Sequence, residues 1–464
     1  MYSGSSFRDP AGFVFEHGGN LYRQINQAGK DDYELMMSSG LYQSLVGDGL
    51  IVTHKEVKVK SLALDGLRYK IIKPQLIPFI SYPYEWTFSQ LKSAALLTLQ
   101  LQKTALAHGM ILKDASPYNV QFIGKKPIFI DTLSFRTYRQ GMPWEGYKQF
   151  CEQFVAPLAL AVYASPQILR SLRVFLDGIP LALAVKLLPN RARLKRGLLA
   201  HIYLHAASQK RYDYQTNKPD AKPRRLSPMA LSGLLASLEH TVNVLKLAAQ
   251  KTQWGDYYND TNYSETALSS KQKIVKAMLA SLPKSAMVWD FGANDGRFSQ
   301  LAVEAGAYTV AFDVDYQTVE YNLVKKRRTK SQSLMLPLVQ DLANPSPSLG
   351  WAHDERLSLE ERGPADVVLA LALIHHLAIS NTTPLPAIAD FFARMGRYLI
   401  IEFVPKEDSK AQLLLQRRLH PFAHYSQKHF QEAFGACFKL QSKKTVLGSR
   451  RVIYLYQNKL ISSK

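Results

Sequence analysis

Along the second half of the chain, short apolar runs alternate with stretches in which apolar residues recur every three or four positions. The runs Ala286 to Phe291, Thr309 to Phe312, Leu334 to Val339, Ala365 to Ala370 and Tyr398 to Phe403 read as strands. Phe298 to Ala305, Thr318 to Lys326 and Leu385 to Met395 read as helices between them. Such alternation gives a parallel sheet covered by helices. Phe438 to Ser442, a turn at Gly448-Ser449, and Arg451 to Gln457 then read as an antiparallel pair that completes the sheet. Upstream, Met229 to Ala249 and Ser270 to Leu282 carry helical periodicity. The period vanishes from Ala207 to Pro228, a polar stretch rich in Lys and Arg with Pro219, Pro223 and Pro228, which reads as a linker. The longest apolar stretches, Val155 to Ala164 and Val174 to Leu188, are interrupted by Pro157, Asp177, Pro180 and Lys186. Both fall short of the roughly 20 apolar residues that cross a bilayer and read as buried helices, so no membrane span is expected.

Composition narrows the class. A chain of 464 residues with 47% hydrophobic content holds two or three ordinary domains. Cys151 and Cys437 are far apart and lack metal-type spacing, which argues against a disulfide framework or a zinc site and for a reducing, cytoplasmic setting. The N-terminal residues lack the basic start and apolar run of a signal peptide. The net charge of +21 fits nucleic acid, an anionic surface or an acidic substrate, and does not choose among them. The clusters Arg191/Arg193/Lys195/Arg196, Lys222/Arg224/Arg225 and Lys325/Lys326/Arg327/Arg328 are short and lack interleaved aromatics, so solvated faces are favoured over a nucleic-acid footprint.

The chemistry concentrates where the first strand of the parallel region ends. Asp290-Phe291-Gly292-Ala293-Asn294-Asp295-Gly296 runs from a strand into a helix, and glycines at 292 and 296 let the backbone turn and approach a ligand. Ligands of open parallel sheets bind beyond the carboxyl ends of the strands, and the ends here carry Asp290, Asp313, Asp341, His375 and Glu402. Asp313 lies close to the roughly 20-residue offset at which an acid meets ribose hydroxyls. Asp315 either shares that duty or caps the next helix. A dinucleotide fingerprint needs glycine where Asn294 stands.

On these residues, the region from about 286 to 457 resembles a class I S-adenosylmethionine-dependent methyltransferase. Asp290, Gly292 and Gly296 match its acid-x-Gly-x-x-x-Gly motif, the first of four that stand in order. The resemblance implies a Rossmann-like seven-stranded α/β sheet. It assigns the loop Asp290 to Gly296, with Asn294, to the methionine part of the cofactor, Asp313 and Asp315 to the ribose, and Asp341 with Leu342 to the adenine. Leu369 to Leu377 corresponds to the segment beside the methyl and the acceptor. His375, His376 and Glu402 are thereby the candidate catalytic residues, each with a structural alternative. The Asn/Asp-Pro-Pro-Tyr motif of enzymes that methylate base amines is absent; His375-His376 stands there. The aromatic segment Trp254 to Tyr263 reads as a lid or as interdomain packing.

The N-terminal part carries a second pattern. Asp114, Asn119 five positions on, and Asp131 after an apolar hairpin around Gly124-Lys125-Lys126 follow the layout that places a base and two magnesium ligands. Residues 1–205 therefore resemble the protein kinase and aminoglycoside phosphotransferase fold, an α+β domain with a small lobe to about 80 and a helical lobe from about 81 to 205. The resemblance implies ATP and Mg2+, with Asp114 as base and Asn119 and Asp131 as metal ligands. Leu112 and Thr132-Leu133 depart from the kinase pattern, and no glycine-rich phosphate loop precedes them. Arg23 is the nearest basic strand residue, with Glu34 as its helix partner. The expected organisation is 1–205 kinase-like, 206–280 linker and helices, and 281–464 methyltransferase. The expected function is methyl transfer to an unidentified acceptor, with the first domain recruiting substrate or regulating. Alternatives are a bifunctional methyltransferase/phosphotransferase and a non-enzymatic basic scaffold.

Overall fold

In a computed structural model, the chain is described over residues 6–59, 65–215, 225–247, 264–325, 334–416 and 422–461. The aromatic segment 254–263, residues 216–224 of the expected linker, Ala249 and the run 326–328 lie outside the described residues, and the part of that linker from Ala207 to Gln215 is helical instead. The chain divides into two compact units. The N-terminal unit comprises 1–122, 126–249 and 349–356; the C-terminal unit comprises 123–125, 250–348 and 357–464.

The N-terminal unit begins with strands β1 (Gly12–His17), β2 (Asn20–Asn26), β3 (His54–Glu56) and β4 (Arg68–Pro74), in an antiparallel sheet of order β1-β2-β4-β3. Helices α1 (Lys30–Ser38) and α2 (Leu41–Gly47) lie between β2 and β3 in the chain. Ile25, Tyr33, Ile72 and Leu133 form one apolar cluster of this unit. Helix α3 (Phe88–Ala107) starts where Gln90 Oε1 accepts from the Thr87 amide and stops at Gly109, whose φ of 73° ends the helix. Eleven of its residues are buried, which makes it a core helix and not a surface one.

Strands β5 (Met110–Leu112), β6 (Val120–Ile123), β7 (Lys126–Phe129) and β8 (Phe135–Thr137) follow, paired as β5-β8 and β6-β7. The remaining helices are α4 (Gly146–Phe150), α5 (Ala156–Tyr163), α6 (Leu181–Leu187), α7 (Arg196–Leu198), α8 (His205–Gln215) and α9 (Pro228–Val244). The run Val155 to Ala164 is a buried helix, as its pattern predicts. The run Val174 to Leu188 is not: only its last seven or so residues are α-helical. Pro180 fixes the start of α6, and Val174 is 78% exposed. Apolar content there misled because turns and irregular backbone occupy the run before Pro180.

The C-terminal unit opens with α10 (Glu265–Ala280) and builds one seven-stranded sheet. Its strands are β9 (Met287–Phe291), β10 (Tyr308–Asp313), β11 (Met335–Val339), β12 (Ala365–Ala370), β13 (Gly396–Phe403), β14 (Phe438–Thr445) and β15 (Val452–Asn458). Their order is β11-β10-β9-β12-β13-β15-β14. The first five run parallel, and β15 enters antiparallel to both β13 and β14. The interposed helices are α11 (Arg297–Glu304), α12 (Tyr316–Val324), α13 (Leu385–Met395), α14 (Ser409–Leu415) and α15 (Gln427–Cys437).

Strand alternation supplies both faces of this sheet with apolar side chains. Val288, Val367, Leu369, Ile400 and Ile453 pack with Val275 and Met278 of α10 and with Phe298 and Ala302 of α11. Trp289 and Phe291 point the other way, where Phe291 stacks on Phe312 at 5.2 Å between ring centroids and meets Phe392 of α13 at 6.2 Å. Reversal of the chain between β9 and β12 puts the switch point, and hence a crevice, beside the end of β9.

Candidate functional site

The turn from β9 into α11 adopts the backbone its glycines permit. Gly292 and Gly296 both have φ of 74°, and Asn294 has φ of 48°. These are left-handed conformations, open to glycine and more readily entered by Asn than by most residues. The amides of Gly292 and Ala293 both donate to the Phe312 carbonyl at 2.9 Å, so the loop is tied to the end of β10. Asp313 ties it again: Oδ2 accepts from the Asn294 amide at 2.8 Å, and Oδ1 accepts from the Asp315 amide at 2.9 Å. The Gln340 amide donates to the Asp313 carbonyl at 2.8 Å, which joins the end of β11 to the same edge.

The acids named from the sequence take different places. Asp290 is 2% exposed and faces inward beneath the loop, where Oδ2 accepts from Ser299 Oγ at 2.6 Å. Burial pushes its carboxyl up to about 7, and burial pushes that of Asp313 up to about 6. Asp315 caps α12, accepting from the amides of Gln317 and Thr318 at 2.9 and 3.3 Å. Asp341 and Leu342 follow β11 half-buried, with Asp341 Oδ1 accepting from the Ala343 amide at 2.9 Å.

The segment after β12 packs onto the glycine loop. A Cβ placed at Gly292 would sit 3.5 Å from Leu373 Cδ1, and the preceding Ala372 has φ of 53°. A non-glycine residue held there stores strain that surrounding packing must maintain. His375 is wholly buried, with neither ring nitrogen hydrogen-bonded. His376 is half-buried, its ring centroid 4.2 Å from that of His375. Burial holds His376 near 4 and His375 well below 6.5, and the nearby Arg451 charge adds to both effects. Both imidazoles are neutral at physiological pH.

Glu402, at the end of β13, is also wholly buried. Lys271 Nζ of α10 lies 2.7 Å from its Oε2 and rests 4.7 Å from the Phe298 ring centroid. Arg451 Nη1 lies 3.9 Å from its Oε1, and the same guanidinium grips Asp408 through Nε at 2.7 Å and Nη2 at 3.0 Å. Burial lowers the Lys271 pKa, while the Glu402 carboxylate works against that shift. Sequence reading named Glu402 but not Lys271, Arg451 or Asp408, because nothing local marks residues so far apart in the chain. A cleft of about 530 Å3 opens on Asp408, Ser409, Gly448 and Arg451.

In the N-terminal unit, Asp114, Asn119 and Asp131 come together. Asn119 Nδ2 donates to Asp114 Oδ2 at 3.0 Å and to Ser134 Oγ at 3.2 Å, and Ser134 Oγ donates to Asp131 Oδ2. Arg23 Nη2 lies 2.5 Å from Asp131 Oδ1. Its expected partner Glu34 does not reach it. On α1 the buried position is Tyr33, which leaves Glu34 exposed and accepting from the Tyr69 hydroxyl. Among the described residues no group of three or more His, Cys, Asp or Glu side chains is arranged to hold a metal ion, and no helix is long and apolar enough to cross a membrane. Arg191, Arg193, Lys195 and Arg196 are solvent-exposed.

No protein-family model matches the chain. Among solved structures it is similar to magnesium protoporphyrin IX methyltransferase from Synechocystis PCC 6803 with bound SAH, at 19% identity over 44% of this chain and 92% of that one, with a TM-score of 0.29. N-methyltransferase NodS from Bradyrhizobium japonicum WM9 gives 9% identity over 42% of this chain and 98% of that one, at 0.30. The bifunctional kinase-methyltransferase WbdD gives 16% over 44% and 42%, at 0.29. Scores this low carry no weight for activity. Sequence likeness reaches much further: nodulation protein NoeA of Rhizobium meliloti (strain 1021) is 36% identical over 457 residues, which span 97% of this chain and 95% of that protein. With that identity over nearly its whole length, the chain belongs to the family of nodulation protein NoeA.

Proposed function

We propose that the C-terminal unit transfers a methyl group from S-adenosylmethionine to an acceptor that the N-terminal unit recruits, or whose methylation that unit regulates. The observation that carries this reading is the glycine loop at the switch point of the seven-stranded sheet, tied by Asp313 to the next strand end and covered by the segment that leads to His375-His376. The residues fit the cofactor. Gly292 leaves exposed backbone for the methionine part, Gly296 turns the chain into α11, and the Asp313 carboxylate, held by the amides of Asn294 and Asp315, stands at the strand end for the ribose hydroxyls. Gln340, Asp341 and Leu342 stand at the adjacent strand end for the adenine. When bound, S-adenosylmethionine supplies an electrophilic methyl group.

The chain's own residues orient the acceptor and handle its proton. Half-buried His376, neutral at physiological pH, is the base for a hydroxyl acceptor, and wholly buried His375 backs its ring. Glu402, held between Lys271 and Arg451, acts by positioning, since a fully buried and paired carboxylate is not placed to touch substrate. The test is calorimetric titration of the full chain with S-adenosylhomocysteine. Binding that Asp313→Ala weakens supports the reading; no binding to the folded wild type sinks it.

A second reading, a bifunctional enzyme that also transfers phosphoryl groups with ATP and Mg2+, draws only on the proximity of Asp114, Asn119 and Asp131, and the hydrogen bonds among them weigh against it.

A further inference from the structure

A magnesium ion held by Asp114, Asn119 and Asp131 would need oxygens with free lone pairs converging on one point. The cluster offers the opposite arrangement. Asp131 Oδ1 accepts from the Leu133 amide at 3.0 Å and faces the Arg23 guanidinium at 2.5 Å, while Oδ2 accepts from Ser134 Oγ. Asp114 Oδ1 accepts from Gln149 Nε2 at 2.7 Å and from the Ser116 amide at 3.0 Å. Its Oδ2 accepts from Asn119 Nδ2. Asn119 therefore turns its amide nitrogen, a donor, toward Asp114 and toward Ser134, the hydroxyl that serves Asp131, where a metal ligand would turn its oxygen. Four donor side chains, Arg23, Asn119, Ser134 and Gln149, serve the two carboxylates.

Arg23 is the decisive member. Its side chain is 10% exposed and lies on β2, a strand of the sheet core, so its position is fixed by packing and not by a flexible surface stem. A guanidinium does not lose its proton in a protein, so the charge beside Asp131 is permanent. A divalent cation approaching Asp131 would meet that charge, and Oδ1 already serves both the Leu133 amide and the guanidinium. The donor set does not fit magnesium.

We infer that Arg23 is the built-in cation of this cluster: it neutralises Asp131 from within the chain, and the N-terminal unit works as a metal-independent polar site and not as a magnesium-dependent phosphotransfer centre. Methyl transfer by the C-terminal unit neither requires nor opposes this, so either idea can fail without the other.

The experiment titrates the full-length chain with Mn2+, reading free ion by electron paramagnetic resonance, for wild type, Asp131→Asn, Arg23→Gln and the double variant. Wild type should take up no Mn2+ that Asp131→Asn abolishes. Arg23→Gln should gain a site at least about tenfold tighter, the scale expected when a unit charge beside the ligand is removed, and the double variant should lose it. Wild-type binding that depends on Asp131, or a folded Arg23→Gln chain with no gain, overturns the inference. If Arg23→Gln does not fold, thermal melting decides: wild type should show no Mg2+- or MgATP-dependent shift, and a shift abolished by Asp131→Asn overturns it.

Discussion

Replacing Lys271 with Met removes the cation nearest to Glu402 while keeping most of the side-chain volume. Glu402 has no exposure through which to regain hydration. Arg451 stands 3.9 Å away and is already committed to Asp408. Breaking a buried ion pair by removing one partner costs about 3–5 kcal/mol, because the surviving charge stays buried. The Arg451 contact favours the lower end, about 3 kcal/mol, which corresponds to roughly 10²-fold in a local opening equilibrium. Since two units melt in one chain, global unfolding is a poor readout, and hydrogen exchange over β13 and α10 is the better assay. Protection there should fall about 10²-fold in Lys271→Met. The double variant Lys271→Met/Glu402→Leu should recover to within about 1 kcal/mol of wild type, since a packed apolar pair replaces the ionic one with little net loss. Unchanged protection in the single variant, or a double variant no better than the single, would refute the assignment of Glu402 as a carboxylate that depends on Lys271.

Gly292→Val should reduce S-adenosylhomocysteine affinity by at least about 10²-fold in calorimetry with the circular dichroism spectrum retained, because a β-branched residue is strongly disfavoured at φ of 74° and its branches crowd Leu373. His376→Ala should lower kcat about 10²–10⁴-fold for a hydroxyl acceptor while leaving S-adenosylhomocysteine affinity unchanged. Because this imidazole titrates near 4, the wild-type kcat profile should show no His376-dependent inflection near 6.5; finding one would remove the buried-base assignment. For Asp290 the folded carboxyl titrates near 7 against 3.8 for its ordinary value, so the unfolded chain gives up its proton first as pH rises. Its contribution to stability is therefore present at low pH and lost up to about pH 7. Asn has no such loss, so the stability of Asp290→Asn relative to wild type should rise across that window by at most about 4 kcal/mol, read from hydrogen exchange over β9 and α11 in the full chain; a pH-independent difference would contradict the burial of a titrating Asp290.

The parallel region was legible because its strands are buried on both faces and its helices are amphipathic. Ala365–Ala370 and Leu385–Met395 form the elements their patterns predict, residue for residue; β9 and β11 start one residue later than expected, and β10 is one residue longer at each end. Helix α10 begins five residues earlier than its periodicity indicates, at Glu265 behind the Ser264 cap, since capping is a local hydrogen bond that the apolar period does not register. Helix α3, Phe88–Ala107, buries residues around most of its circumference, which leaves little periodic contrast in its sequence.

Sequence by itself determined the glycine turn, the acids at the strand ends, the His375-His376 pair and the spacing of Asp114, Asn119 and Asp131, since these depend on short-range order and on which residue ends a strand. Only the tertiary structure decided what those groups face. Lys271, Glu402 and Arg451 meet because α10 covers β13 and because β15 enters beside it in reverse. Arg23 meets Asp131, and not Glu34, because helix periodicity turns Tyr33 inward and Glu34 to solvent. Charge pairing between distant residues follows from strand order and helix rotation, and neither leaves a local mark in the chain.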